Sequence, residues 1–384
     1  MKRKVRLLYE TLMFTLIDRL SRKGSPDEKA ILFVSDIRGE MGGNFKYIKD
    51  YMADKGYSFK YDFRPGKNNV RSFGELRELV RKMSSCRYIV LEDYFHFSAY
   101  KKYSPKQKIC QVWHGAGAFK KFAHSRATSG DNIKIHKGYR MYSKAITSSP
   151  EINWCYAEAF NIDESKVKAT GIPGTDLYFH KEEMAKRRDE LLRDYPVLKD
   201  KKLILFAPTY RAGSQRDASY DLNMLDLEGL YRELKDDYVF AFKWHPAMYE
   251  NVKGDAGFNS EISRHPDFFL DLSAHRDISE ILPSVRVLIT DYSSVIFDYY
   301  LLDRPIVFFP YDMEEYEGAR GLYYNYDKYT YGRVVTSQDE LIQAARAEDM
   351  CPDKREEFGK TFMSACDGHS TEKTCRWFFQ DENV

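Results

Sequence analysis

Cysteine is scarce and unpatterned in this 384-residue chain: the six cysteines, at 86, 110, 155, 351, 366 and 375, include no C-x-x-C pair and no ladder of spacings. That argues against a thiolate zinc site and against a disulfide framework, and fits a reducing compartment. An excess of one charge is also missing, since 60 Lys and Arg stand against 58 Asp and Glu for a net charge of +2. A surface that coats nucleic acid is therefore not expected, and no nucleic-acid partner is assigned. Long apolar runs are lacking as well. In the basic N-terminal segment the longest uncharged stretch, Thr11 to Ile17, falls far below the roughly 20 residues a membrane-spanning helix needs, and no small-residue cleavage site follows. No repeat of solenoid length and no low-complexity tract occurs. No Asp-x-Asp pair stands at a strand end, so the expectation is no metal and no cofactor.

What is present is an ordinary soluble composition, 43% hydrophobic and 31% charged, with aromatics high at 15% (29 Tyr, 25 Phe). The length suits two domains. Residues 1–26 open with Lys2, Arg3, Lys4, Arg6, Arg19, Arg22 and Lys23, while Val5, Leu8, Leu12 and Leu16, with Met13, Ile17 and Leu20, recur every three to four residues. This predicts a basic amphipathic helix that either lies on an anionic membrane leaflet or packs on the protein's own core. Apolar runs then alternate with helix-length segments: 31–35, 57–63, 88–91, 109–113, 144–147 and 167–170. After a charged helical segment at about 181–193 the pattern restarts at 203–207, 239–243, 268–270, 285–290, 306–309 and 333–335. Six strands, a break and six more predict an α/β protein of two doubly wound Rossmann-like lobes with a cleft between them. The N-terminal lobe is expected at 27–180 and the C-terminal lobe at 181–353. A last helix, about 354–379 within the segment 354–384, should return to the first lobe.

Ligands of such sheets bind beyond the carboxyl ends of the strands, so the residues just after each run carry the chemistry. In TDYSS, Asp291 is followed by Ser293 and Ser294 at the start of a helical segment. Helix N-termini attract anions, and small hydroxyls there would hold a phosphate, although a serine also caps a helix and an Asp also closes a turn. In FKWHP, Lys243 and His245 leave a strand together, and Pro246 holds His245 extended. Alternation along the strand predicts both on one side, as cationic donors for a diphosphate. In VWHGAGAFKK, His114 precedes Gly115, Gly117, Lys120 and Lys121. Imidazole titrates close to neutrality, which suits His114 as a general base toward a hydroxyl. The glycine pair lacks the third glycine of a dinucleotide fingerprint, so nicotinamide binding is not expected. FAPTYR adds Thr209 and an Arg fork, Arg211, suited to phosphate. TGIPGTD places Gly171 at another strand end.

With WHGAGAFKK, TGIPGTDLYF, FAPTYR, FKWHP, the block from Thr290 to Asn325 and DGHSTEK in view, the chain resembles the CDP-glycerol glycerophosphotransferase family of teichoic acid primases and polymerases. The resemblance runs from about Ile31 to Phe378. It implies the GT-B architecture and transfer of a polyol phosphate from CDP-glycerol or CDP-ribitol to a hydroxyl of an undecaprenyl-linked saccharide or polymer acceptor of teichoic acid or capsule, with release of CMP. It further implies His114 as base, His245 against the donor diphosphate, Glu315 and Arg320 among the substrate contacts, and a location on the cytoplasmic face of the membrane. Ala116, Gly117 and Ala118 stand where the family usually has Thr, Pro and Leu, so acceptor contacts are expected to differ. The acidic residue usual before the equivalent of Asn44 is missing, which leaves Asp36, Glu40 and Asp93 as candidate carboxylates to orient His114. Little sequence lies outside the two-lobe core, which favours a primase or single-addition enzyme. The competing readings are a nucleotide-sugar glycosyltransferase or epimerase of the same architecture, and a non-catalytic nucleotide- or polymer-binding scaffold.

Overall fold

The computed structural model describes residues 2–21, 24–64, 70–127, 137–211, 219–275, 277–313 and 321–380. Residues 1–176 with 361–384 form one compact unit and residues 177–360 a second. These divisions fall at 176/177 and 360/361, against the expected 180/181 and 353/354.

Unit 1 contains α1 (Lys2–Leu20), β1 (Asp27–Ser35), α2 (Gly43–Met52), β2 (Ser58–Phe63), α3 (Phe73–Ser85), β3 (Cys86–Leu91), β4 (Lys108–Gln111), α4 (Ala123–Ala127), β5 (Lys144–Thr147), α5 (Asn153–Phe160) and β6 (Val167–Ala169). Its strands are parallel in the order β2-β1-β3-β4-β5-β6. Unit 2 contains α6 (Lys181–Asp194), β7 (Lys202–Phe206), α7 (Leu227–Leu234), β8 (Tyr238–Phe242), α8 (Pro246–Lys253), α9 (Ala256–Ile262), β9 (Phe269–Asp271), β10 (Val285–Thr290), α10 (Val295–Tyr300), β11 (Ile306–Phe308) and β12 (Arg333–Val334). Here the parallel order is β12-β11-β10-β7-β8-β9. Each of the twelve expected apolar runs overlaps one of these strands. Parallel strands covered on both faces read as continuous apolar runs, and β8 is accordingly buried from Tyr238 to Phe242.

The strand order reverses between β1 and β3 in unit 1 and between β7 and β10 in unit 2. Adjacent loops diverge at such a point and leave a crevice beyond the strand ends. In unit 1 these loops begin at Asp36 and Glu92; in unit 2 they begin at Ala207 and Asp291. In the core of unit 2 Phe206, Phe240, Phe242 and Trp244 are all buried, and Phe242 stacks on Trp244 with ring centroids 5.4 Å apart. Such ring pairs add about 0.5–1.5 kcal/mol each beyond area burial.

The expected single C-terminal helix is instead broken. A helix at Pro352–Phe358 ends in a π turn at Gly359–Met363, and a separate helix follows at Ser370–Phe379. Gly368 marks the break, with a φ of 88° that strongly favours glycine; Gly359 stays helical, and a side chain there would collide with the Tyr300 hydroxyl. The helix Ser370–Phe379 belongs to unit 1, where Phe379 packs edge-on against Tyr88.

Helix α1 packs against α3 by an unusual face. Phe14 and Ile17 are buried there, and so are Glu10, Thr11 and Asp18. The Glu10 carboxylate accepts from the Arg71 amide, Thr11 bonds His96 at 2.8 Å, and Asp18 pairs with Lys101 at 2.8 Å. Val5, Leu8, Leu12, Leu16 and Leu20 meanwhile face solvent, at 47 to 74% exposure. The apolar spacing in the sequence therefore covers two faces, one inside and one outside.

Candidate active site

In unit 1 the site is built where β4 gives way to the loop carrying His114. Trp113 adopts a φ of 57°, a conformation that costs a bulky L-residue energy and has to be held by its surroundings. Its amide donates to Gln111 Oε1 at 2.8 Å, its carbonyl accepts from Asn44 Nδ2 at 3.0 Å, and its ring stacks on Phe122 at 4.8 Å. Asn44 Oδ1 in turn accepts from the Gly174 amide at 2.8 Å. One buried asparagine thus ties the WHG loop to the TGIPG loop.

The twist at Trp113 delivers His114 to the surface. Its Nδ1 lies 3.2 Å from the Glu92 carbonyl oxygen, which can only accept, so the proton sits on Nδ1 and the lone pair on Nε2. None of the three candidate carboxylates takes this position. Asp36 is bridged to Arg71 at 3.2 Å, with burial raising its pKa; Asp93 accepts from the Tyr94 amide at 2.6 Å; Glu40 is exposed. The Glu92 side chain is buried, with Oε1 accepting from the Ser35 hydroxyl at 2.7 Å and Oε2 from Arg38 Nε at 2.6 Å.

The remaining unit 1 residues divide into open and structural. Gly115 borders open space, since an added Cβ would meet nothing within 4 Å. Gly117 has a φ of 69° and is held by the Ser148 hydroxyl at 2.9 Å and the Tyr156 hydroxyl at 2.8 Å. Lys120 and Lys121 are half-buried. Gly171 points into the protein: a side chain there would strike Ser370 and the Ala365 carbonyl. Its role in the fold is to let the sixth strand-end loop meet the helix Ser370–Phe379, whose first amides are capped by Asp176 at 2.8 Å each.

In unit 2, His245 is the N-cap of α8, with φ −64° and ψ 138° and Pro246 at the first helical position. Its Nδ1 accepts from the Ala247 amide at 3.1 Å, which puts the ring proton on Nε2. Tyr210 packs on the ring at 4.6 Å. Lys243 does not share this exposure. It is only 9% exposed and lies 3.5 Å from the Ser273 carbonyl; burial lowers its pKa, opposed by Asp271, Glu280 and Asp277. The expected alternation fails because β8 ends at Phe242, before either residue.

Beyond β10, Asp291 is 1% exposed and accepts from the amides of Thr209 (2.8 Å) and Tyr292 (2.6 Å) and from Arg211 Nη1 (2.7 Å). The Arg211 fork engages Asp312 through Nε at 2.5 Å and Nη2 at 2.6 Å, inside a ring of Tyr220, Tyr292 and Tyr311 at 5.0–5.4 Å. Burial opposes its charge, yet the bonds to Asp312 and Asp291 hold its pKa above the usual guanidinium value. Arg211 therefore cross-links the two loops at the β7/β10 crevice, where a phosphate-facing fork was expected. The Thr209 hydroxyl is buried and makes no hydrogen bond among the described residues. Ser293 accepts weakly from the Val295 amide at 3.4 Å, and Ser294, exposed at the head of α10, makes no side-chain cap bond. Both hydroxyl protons remain available to an anion. Glu315 and Arg320 lie outside the described residues. Among the described residues no group of three His, Cys, Asp or Glu could hold a metal ion.

Glu92 and Asn44 are the residues that motif reading left without a role; Tyr210, read in FAPTYR as a further hydroxyl for phosphate, instead packs on the His245 ring. Glu92 carried a legible signal, an acid directly after the third strand in VLEDYF.

Residues 16–380 match the family model described as CDP-Glycerol:Poly(glycerophosphate) glycerophosphotransferase. The chain is 37% identical over 346 residues to a teichoic acid poly(ribitol-phosphate) polymerase of Bacillus spizizenii, covering 89% of this chain and 55% of that protein. It is 34% identical over 359 residues to the teichoic acid ribitol-phosphate polymerase TarK of Staphylococcus aureus, covering 92% of this chain and 68% of that protein. The chain thus spans somewhat over half to about two thirds of these relatives. The fold matches the wall teichoic acid polymerase TagF with a TM-score of 0.73 at 24% identity, over 96% of this chain and 93% of that one. With the family model matched from the end of α1 to the last described helix, the chain belongs to the CDP-glycerol:poly(glycerophosphate) glycerophosphotransferase family.

Proposed function

We propose that this chain transfers a polyol phosphate from a CDP-activated donor to a hydroxyl of a teichoic acid or capsule acceptor, with release of CMP. The observation that carries the reading is that the two strand-end histidines are held in opposite tautomers. His114 has its Nδ1 against an acceptor and so keeps a basic Nε2, whereas His245 has its Nδ1 against a donor and so offers an Nε2 proton. One histidine is set to take a proton and the other to give a hydrogen bond.

The acceptor hydroxyl attacks the phosphorus that carries the polyol, its proton passing to His114 Nε2 as the new O–P bond forms. The bond from that phosphorus to the bridging oxygen of CMP breaks, and the electron pair leaves with CMP. His245 Nε2–H and the Ser293 and Ser294 hydroxyls stabilise the charge on the departing phosphate, with no metal ion in the step. Between the two donors, the relatives named for ribitol phosphate favour CDP-ribitol over CDP-glycerol. The acceptor is a lipid-linked saccharide or polymer. The exposed leucines of α1 rest on the cytoplasmic leaflet that carries it, an arrangement supported by their outward stripe.

The test is to incubate the protein with CDP-ribitol and, separately, CDP-glycerol beside an undecaprenyl-linked acceptor, and to follow CMP release and product mass. The expected result is CMP with an acceptor heavier by one or more ribitol phosphate units. Consumption of UDP-sugars with no CMP from either donor would overturn the reading.

A further inference from the structure

The Glu92 carbonyl decides which nitrogen of His114 bears the proton, and the strand ladder does not hold that carbonyl in place. The β3–β4 register ends at Leu91 and Gln111, one residue short of Glu92. The neighbouring carbonyls are held, Leu91 by the Val112 amide at 2.8 Å and Asp93 by Gln111 Nε2 at 3.3 Å, and the Glu92 side chain adds the anchor at Glu92 itself. The carboxylate, 1% exposed, is gripped from two sides by residues of the neighbouring strand end: the Ser35 hydroxyl at 2.7 Å and Arg38 Nε at 2.6 Å. Ser35 is itself locked in its turn, its oxygen accepting from the amides of Ile37 at 3.2 Å and Arg38 at 3.1 Å. A charge-assisted bracket of this kind is short and directional. It spans the β1/β3 crevice and ends on the imidazole.

We infer that Glu92 is a positioning residue for His114: its bracketed carboxylate holds its carbonyl where it binds the Nδ1 proton, and so keeps His114 in the tautomer whose Nε2 is a base. The inference rests on the reading of His114 as the base. It also answers why no carboxylate touches His114, since the acid acts one peptide removed, through the main chain. In Glu92→Gln the amide nitrogen must face either the Arg38 Nε–H, where two donors meet, or the Ser35 hydroxyl, which then loses its acceptor while its oxygen already takes the Ile37 and Arg38 amides. The bracket then opens on that side and the Nε2–H tautomer, which cannot accept a proton at Nε2, becomes populated.

The experiment measures transfer kinetics and the ¹⁵N shifts of the His114 ring in wild type, Glu92→Gln and Arg38→Ala. Arg38→Ala removes a half-exposed side chain and loosens the same bracket without creating a buried cavity at Glu92. The expected result is kcat lowered about 10- to 100-fold in both variants, donor KM within about twofold of wild type, and ¹⁵N shifts moving from an Nδ1–H pattern toward a mixture. Wild-type kcat and an unchanged Nδ1–H pattern in a folded Glu92→Gln or Arg38→Ala, with His114→Ala inactive, would overturn the inference and leave the base intact. Shifted tautomers with full activity, or a fully active His114→Ala, would overturn the base assignment while the bracket's hold on the ring stands.

Discussion

The Lys101 ammonium lies 2.8 Å from the Asp18 carboxylate, and the two side chains are 0% and 2% exposed. Asp18 also accepts from the Lys102 amide at 3.0 Å. The N-terminal helix is therefore fastened to unit 1 by buried charge as much as by Phe14 and Ile17. Removing one member of such a pair strands the other without water, at a cost of about 3–5 kcal/mol, whereas removing both costs less. Asp18→Asn should lower the denaturant midpoint of unit 1, and adding Lys101→Met should restore part of the loss. Equal, additive losses in the two single variants and their combination would mean that the charges act independently.

The outer face of the same helix leads to a different expectation. Leu8, Leu12 and Leu16 are 60%, 56% and 47% exposed and touch the core little. Deleting the helix would confound membrane contact with the loss of the Asp18 latch, so the informative variant is Leu8→Gln, Leu12→Gln, Leu16→Gln. Its melting temperature should stay near wild type, because exposed substitutions rarely move stability by more than about 0.5 kcal/mol each. Co-sedimentation with anionic vesicles should fall sharply. Unchanged co-sedimentation would assign these leucines to some other contact.

A pH dependence follows from Asp298, which sits in α10 behind the two serines. Burial raises its pKa from the usual carboxylate value to about 7, and Asp277 adds to the rise. The folded state thus holds the proton more tightly than the unfolded chain does. The penalty is absent in acid, grows as pH rises above the unfolded value near 4, and is complete above about 7. Asp298→Asn should leave stability almost unchanged at pH 4 and raise it at pH 8, by on the order of 2 kcal/mol. Urea midpoints of the two proteins at both values test this; a difference that shrinks with rising pH would show that the carboxylate is stabilised as an anion.

The central strands were legible because they are buried apolar runs, and 285–290 and 144–147 even keep their limits as β10 and β5; the edge strands β2 and β12 bury no residue and were marked by their β-prone residues alone. The places of His114 and His245 were legible because each lies three residues past a strand end. Other features depended on partners distant in the chain. Arg211 reads as a phosphate fork until Asp291 and Asp312, 80 and 101 residues away, close on it. Lys243 and His245 share a motif, but the strand stops before them, and one is buried while the other is exposed. The leucine spacing of α1 gave the helix and left open which face is inside, because the buried face is partly charged.

His245 does two jobs that substitution can separate. It caps α8 through Nδ1, and it presents Nε2–H. His245→Ala removes both, so lost donor binding in that variant could come from a frayed helix, since losing a cap costs about 1 kcal/mol. Asparagine caps helices as well as any residue, and its shorter side chain cannot reach where Nε2 stood. His245→Asn should therefore keep the wild-type melting temperature while weakening CDP-polyol binding and slowing single-turnover transfer. The slowing should be the larger effect, on the order of 10²- to 10³-fold, because the hydrogen bond strengthens as charge moves onto the leaving CMP. His114→Ala should instead slow transfer with donor affinity nearly intact. Calorimetric titration with donor, set beside rapid-quench turnover, separates the two histidines. Normal binding and turnover in a stable His245→Asn would leave this residue only its cap, and the donor diphosphate would have to be held by Ser293 and Ser294 alone.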